Sequence, residues 1–95
     1  MSRKELLAKV YSEQIVGVVR EDSAEVGEAV ADAYARNGIR IVEITLTTPD
    51  AIELMASMAK RYGPNVSIAA GTVRSTNDAA LARRAGAETP ATPSP

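Results

Sequence analysis

Three short apolar runs recur along this chain, and a segment with helical periodicity follows each of them. The runs begin at Ile15, Ile39 and Val66. Between them, apolar residues recur every three or four positions, which is the spacing of one face of a helix. Strands that alternate with helices in short units pair in parallel, because each helix returns the chain across the sheet in a right-handed crossover. The pattern predicts an α/β domain over residues 1–88, with an amino-terminal helix and three parallel β/α units.

Local signals mark where two of the predicted helices begin. Ser2 with Glu5 three residues later is a capping box, and it predicts a short helix over residues 2–12. Thr48 directly before Pro49 predicts an N-cap followed by proline at the first helical position.

The last helix has a beginning and an end that the sequence marks clearly. Ser75 with Asp78 forms a second capping box, and Gly86 supplies the residue that ends the helix. A further strand would follow in a regular repeat, but residues 89–95 contain three prolines and no large aliphatic side chain. Proline is excluded from sheet interiors, so we expect no sheet pairing after Gly86 and a disordered tail over residues 89–95.

The first two strands differ in their pattern. Residues 15–19 form a continuous apolar run, which predicts a strand buried on both faces. The second run alternates, because successive strand side chains point to opposite faces. One face carries Ile39, Ile41, Glu43, Thr45 and Thr47, and the other carries Val42, Ile44 and Leu46.

Glu43 is the residue in this pattern that most needs an explanation. It lies between Val42 and Ile44, where an ionisable group is costly unless it is paired or has a function. Its face changes from apolar to polar along the strand. Parallel α/β enzymes place their chemistry at the carboxyl ends of strands, so this strand is typical of one that carries a catalytic carboxylate.

Composition excludes several classes of site. The chain has no His and no Cys, so it lacks the most common general base, the usual zinc ligands and any disulfide. We predict no metal and no cofactor. Eleven basic and 12 acidic residues give a net charge of −1 without a basic patch, which argues against nucleic-acid binding. With no segment long enough to span a membrane and no signal-peptide core, we expect a soluble cytoplasmic protein.

Three segments in order resemble one known family. They are IVGVVR at residues 15–20, IVEITLTTP at residues 41–49 and AAGTV at residues 69–73. Together they are similar to the 2-keto-3-deoxy-6-phosphogluconate / 2-keto-4-hydroxyglutarate aldolases. The resemblance implies a TIM (β/α)8 barrel, of which this chain is a part, and a class I aldolase that works as a homotrimer. Such enzymes cleave a 2-keto-4-hydroxy acid to pyruvate and an aldehyde through a lysine Schiff base.

The resemblance also implies roles for particular residues. Glu43 matches the glutamate that relays protons, and Thr72 matches the threonine that helps to hold the substrate carboxylate. Arg20 matches an arginine placed near the same site in many members. Thr47 stands where some members carry a carboxylate-binding arginine, a departure that leaves the substrate in question.

The resemblance further implies that an essential residue is missing. A Schiff-base lysine must sit on a rigid element and point into the pocket. The three lysines of this chain, Lys4, Lys9 and Lys60, all fall on predicted helices. A whole barrel needs eight units and about 200 or more residues. We therefore expect an amino-terminal part of an aldolase that is inactive alone.

The residues leave other interpretations open. Glu43 could be a structural acid paired with Arg20 or Arg40. Glu21-Asp22 after the first strand resembles the acidic pocket of a receiver domain, a small doubly wound binding module, although that fold also needs an aspartate after strand three. A non-catalytic half-barrel that self-associates through open sheet edges is the third alternative.

Overall fold

The computed structural model of the protein describes residues 2–3 and 15–89. Most of the predicted helix over residues 2–12, and residues 90–95 of the predicted tail, lie outside the described residues. Strands and helices alternate along the described chain. They are β1 (Val16–Val19), α1 (Ala24–Arg36), β2 (Ile41–Thr45), α2 (Ala51–Tyr62), β3 (Ser67–Gly71) and α3 (Thr76–Arg84).

The three strands form one parallel sheet in the order β1-β2-β3. The predicted parallel β/α units are thus confirmed. Glu43 pairs with Val18 on one side and with Ala69 on the other. Consecutive units that add side by side are the arrangement within a (β/α)8 barrel, whereas a receiver-like doubly wound sheet has the order 2-1-3-4-5. The strand order therefore contradicts the receiver-like alternative.

The helices cover one face of this sheet, here called the packed face. Val42 and Ile44 of β2 are completely buried there, together with Met55 and Met58 of α2. The other face, here called the open face, carries the alternate residues of the same strands. They include Val16, Val18, Ile41, Glu43 and Ala69.

The expectation that β1 is buried on both faces is wrong. Val16 is 41% exposed and Val18 is 45% exposed, whereas Val19 on the packed face is completely buried. The physical reason is that no described element covers the open face, so a continuous apolar run is buried only at every second residue. Burial alternates along β1, but the sequence does not show this alternation because the residues on both faces are apolar or glycine.

The packed face requires a glycine at one point in β1. A Cβ atom at Gly17 would lie 2.6 Å from Cγ of Tyr34 in α1, a distance that real contacts do not reach. The Tyr34 hydroxyl also donates a hydrogen bond to the Val18 carbonyl at 3.2 Å. Gly17 therefore lets the aromatic ring of α1 pack directly against the backbone of β1.

The beginning of α2 differs from the prediction. Asp50, not Thr48, is the N-cap, and it has a left-handed backbone with φ 56 and no side-chain cap hydrogen bond. The Thr48 hydroxyl faces β1 instead, where it donates to the Val19 carbonyl at 3.4 Å and accepts from the Glu21 amide at 3.3 Å. A tertiary contact thus takes the hydroxyl that would otherwise cap the helix.

The end of the described chain continues the sheet beyond Gly86. The Glu88 amide donates to the Ile68 carbonyl at 2.8 Å, and the Ala70 amide donates to the Glu88 carbonyl at 2.8 Å. Glu88 is thereby paired in parallel with Ala69 of β3. The expectation that sheet pairing stops at Gly86 is wrong, because a parallel bridge depends on backbone groups and not on large side chains. The predicted cap at Ser75 is confirmed, since its hydroxyl accepts from the Asp78 amide at 3.0 Å.

Candidate active site

Glu43 lies in the middle of β2 on the open face and is half-buried. Its side chain rests against Gly71, the last residue of β3. A Cβ atom at Gly71 would lie 3.0 Å from Cδ and 3.3 Å from Oε2 of Glu43. Any larger residue at this position would therefore have to displace the carboxylate. The sequence pattern identified the face of Glu43, but it did not show that Gly71 sets the position of its carboxylate.

A cavity of about 390 Å³ opens beside this carboxylate. Glu43 and Thr72, two of the predicted site residues, both line it, and Glu88 and Thr89 contribute a further wall. Glu43, Ala69 and Glu88 are consecutive neighbours across the sheet, so both carboxylates extend from the same face with only a small residue between them. Sequence reasoning missed Glu88. Its position follows from strand register, which no local pattern in residues 87–89 indicates.

A second cavity, of about 520 Å³, lies at the carboxyl end of the sheet between the loops that follow β2 and β3. Thr47 and Thr72 both line this space, as do Arg74 and Asp78. Thr72 therefore borders both cavities. Its backbone is left-handed with φ 57, a conformation that β-branched residues rarely adopt. Such strain in a turn that touches two cavities is typical of a functional position.

Threonine hydroxyls fix the loop after β2. Thr45 is completely buried and Thr48 is 2% exposed. The Thr45 hydroxyl shares hydrogen bonds with the hydroxyls of Thr47 at 3.0 Å and Thr48 at 3.1 Å. A buried hydroxyl group needs a hydrogen-bond partner, because leaving it unpaired away from water is costly. The hydrogen bond between Thr45 and Thr47 therefore holds the Thr47 side chain at the edge of the second cavity.

Comparison with known proteins identifies the family. The family model described as KDPG and KHG aldolase matches residues 6–94. The chain belongs to this aldolase family. It is also 36% identical over 93 residues to the 2-dehydro-3-deoxy-phosphogluconate aldolase of Haemophilus influenzae, a match that covers 95% of this chain and 42% of that protein. The chain thus spans less than half the length of this curated relative, and the resemblance stated from the three sequence segments is confirmed.

Arg20 is the one aldolase site residue predicted here that lies apart from the others. It follows β1 and is exposed, and it is not among the residues that line the two cavities. Within residues 15–89, Glu43 makes no ion pair with Arg20 or Arg40. The carboxylate of this aldolase chain therefore faces a cavity instead of a cationic partner on its own strands.

Two further observations on this aldolase chain apply to the described residues only. No group of three or more Asp, Glu, His or Cys side chains among them is arranged to hold a metal ion. None of their helices is both long enough and apolar enough to cross a membrane.

Proposed function

We propose that this chain supplies the proton-transfer side of a keto-acid aldolase site, with Glu43 as the acid/base. One observation carries the proposal. The Glu43 carboxylate lies on the open face of the sheet, against Gly71 and beside Thr72, and it faces a cavity, with no ion-pair partner among residues 15–89. Family membership supports an aldolase of the KDPG and KHG type. The inferred reaction cleaves a 2-keto-4-hydroxy acid to pyruvate and an aldehyde, in the cytoplasm.

The chemistry requires a group that both accepts and donates protons. Attack of a lysine amine on the keto carbon gives a carbinolamine, which loses water only after its hydroxyl is protonated. Cleavage then removes a proton from the 4-hydroxyl, and the resulting enamine takes up a proton at its terminal carbon. A carboxylate held on a strand next to the cavity relays these protons in sequence. Glu43 lies in the first cavity beside Ala69, Ala70 and Gly71, whose small size leaves room for a substrate next to its carboxylate.

The substrate carboxylate needs hydrogen-bond donors near Glu43. The Thr72 hydroxyl and the backbone of Gly71 lie next to the cavity that Glu43 lines. Thr47 is held toward the adjoining cavity, which Thr72 also lines. We propose Thr72 as the main carboxylate ligand, with Thr47 and Arg20 as lesser contributors, because Arg20 lies outside both cavities in this chain. Charge-assisted hydrogen bonds of this kind fix the orientation of the carbonyl carbon.

We also propose that these 95 residues form no Schiff base alone. Lys60 lies in the last turn of α2, on the helix layer and away from the open face. Lys4 and Lys9 lie outside the described residues. In a barrel of eight units, the three units described here would be joined by further strands that carry the lysine. Treatment of the 95-residue chain with pyruvate and borohydride should leave its mass unchanged. A stable adduct on any of the three lysines would contradict this part of the proposal.

A chimera tests the role of Glu43. Residues 1–88 would replace the matched segment of the Haemophilus influenzae enzyme, so that the remaining residues of that protein complete the fold. Pyruvate release from 2-keto-3-deoxy-6-phosphogluconate and from 4-hydroxy-2-oxoglutarate would be measured. Glu43→Gln should lower kcat by roughly 10²- to 10⁴-fold, the usual contribution of a general acid/base.

The matched control is Glu25→Gln, which removes an exposed carboxylate in the first turn of α1. It should change kcat by no more than about twofold, as expected for a surface site. Equal losses in the two variants would contradict the role of Glu43. Activity of the parent chimera on one substrate and not on the other would identify the preferred keto acid.

A second candidate function, self-association, rests on the open face. Val16 and Val18, the apolar side chains that β1 places on this face, are 41% and 45% exposed. Apolar side chains next to unpaired strand edges pair readily with other chains. We propose that the 95-residue chain forms oligomers through this face, whereas the whole enzyme forms the trimer that the family resemblance implies. Size-exclusion chromatography with Val16→Ser and Val18→Ser should shift the chain toward monomer, and an unchanged elution volume would contradict self-association through β1.

A further inference from the structure

A third cavity lies at the opposite end of the sheet from Thr72. It has a volume of about 540 Å³ and opens between the loop that joins α1 to β2 and the loop that joins α2 to β3. Three of the ten residues that line it are arginines, namely Arg36, Arg40 and Arg61, and none of the ten is Asp or Glu. The chain as a whole has a net charge of −1, so this concentration of positive charge is local.

One carboxylate behind the cavity fixes two of these arginines. Oδ2 of Asp32 pairs with Nε of Arg36 at 2.8 Å, and Oδ1 of Asp32 pairs with Nη1 of Arg61 at 3.5 Å. The Tyr62 hydroxyl donates a hydrogen bond to the same carboxylate. This hydrogen bond, with the two guanidinium groups, lowers the pKa of Asp32 below its ordinary value and keeps it ionised. Arg36 engages this carboxylate through Nε and remains exposed at the cavity wall.

Arg40 is the arginine of this cavity that a helix dipole does not explain. Arg36 and Arg61 lie in the last turns of α1 and α2, where positive charge is favoured by the carboxyl-terminal end of a helix. Arg40 directly precedes β2 and has no helix end to compensate. It is exposed, and among the described residues it makes no ion pair and no side-chain hydrogen bond. Asn65 adds an amide to the same wall.

We infer that this cavity binds a small phosphate-bearing anion. One Asp32 carboxylate lies between Arg36 and Arg61, and Glu28 reaches Arg61 only at 3.6 Å with both side chains well exposed. Positive charge therefore remains in excess at the cavity once Arg40 is included. Three arginines line this one cavity, and such a set suits the tetrahedral, doubly charged phosphate better than a planar carboxylate, which one or two arginines satisfy. The site lies at the amino ends of β2 and β3, so it is separate from the proposed keto-acid site and does not depend on it.

Titration with inorganic phosphate tests this inference on the 95-residue chain. Amide chemical shifts would be followed by NMR at constant ionic strength, with chloride as the competing anion. We expect saturable shifts at Gly38, Gly63 and Asn65, and none at Gly71 and Thr72. Arg40→Ala should weaken phosphate binding by about tenfold or more, the effect of losing a hydrogen bond to a charged group.

The control variant is Arg83→Ala, which removes the same charge from an exposed position near the end of α3. It should change phosphate affinity by less than about twofold, because distant surface charges are screened. Arg40→Lys keeps the charge but not the two-pronged geometry, so it should bind with intermediate affinity and provides a result even where Arg40→Ala fails to fold. Equal weakening by Arg83→Ala, or shifts centred on Thr72, would overturn the inference. A titration with a sugar phosphate then separates recognition of phosphate alone from recognition of a phosphorylated metabolite.

Discussion

The two faces of the sheet use the same strands for different purposes. On the packed face, Val42 and Ile44 are completely buried under α1 and α2. On the open face, their neighbour Glu43 is half-buried and Val18 is 45% exposed. Adjacent residues of β2 therefore contribute to stability on one side and to the candidate site on the other. The difference shows that a strand can carry a costly polar residue when every second side chain secures the fold.

Removing a side chain from the packed face should give the largest effect. Ile44→Ala deletes a completely buried side chain and leaves a cavity, so it should lower the free energy of unfolding by about 2–5 kcal/mol. Val18→Ala deletes an apolar side chain of β1 that is half in solvent, and it should cost less than about 1 kcal/mol. Urea denaturation followed by circular dichroism would measure both values. Similar losses in the two variants would mean that the open face is covered in solution, which would place a partner on it.

Two glycine substitutions, one on each face of the sheet, should distinguish effects on the stability of the fold from effects on catalysis. Gly17→Ala forces a methyl group against the Tyr34 ring on the packed face, so it should destabilise the fold by about 1–3 kcal/mol. Gly71→Ala forces a methyl group against Glu43, whose side chain can move into the cavity, so we expect a smaller loss of stability. In the chimera described above, it should nevertheless lower kcat by roughly 10- to 100-fold, because the carboxylate is displaced. Unfolding and pyruvate release would be measured for both variants. Full activity of Gly71→Ala would argue against a fixed position for Glu43.

A substitution in the helix layer should have the smallest effect on stability, and the size of that effect should depend on pH. Asp32 has its pKa lowered below 3.8 by the hydrogen bond from Tyr62, and Tyr62 has its pKa raised above 10.0 by the same bond. The Asp32 contribution is therefore present above pH 3.8 and is lost as the pH falls through its folded value. The Tyr62 contribution is present below pH 10.0 and is lost as the pH rises through its folded value.

Tyr62→Phe tests this dependence. The variant should be slightly less stable than the parent near neutral pH, and the difference should shrink at both extremes of pH. Thermal unfolding between about pH 3 and pH 11 would measure it. A difference that stays constant across this range would mean that the aromatic packing of Tyr62, and not its hydroxyl, joins α1 to α2.

The local parts of the fold followed from the sequence. Alternation along β2 correctly placed Val42 and Ile44 on one face and Glu43 on the other, because burial of one face fixes the period of a strand. The Ser75 cap is equally local, since its hydroxyl reaches an amide only three residues away. Three short motifs were sufficient to identify the family, whose model covers nearly the whole chain.

The parts that the sequence did not predict all depend on contacts between distant residues. Thr48 contacts Val19, which is 29 residues away, and this contact moves the start of α2. Glu88 joins the cavity of Glu43 only because its backbone pairs with β3. The exposure of Val16 depends on whether another element covers β1. None of these contacts leaves a signal in the residues next to it in sequence, so local sequence patterns could not predict them.

The left-handed backbone of Thr72 has a consequence for how such a site can diverge. The conformation at φ 57 costs of order 1–2 kcal/mol for a residue with a Cβ atom, and glycine would avoid that cost. A threonine here therefore lowers the stability of the fold somewhat, and it places a polar side chain at the boundary of two cavities. A substitution at Thr72 would change the lining of both cavities at once, so neither cavity could be altered independently through this position.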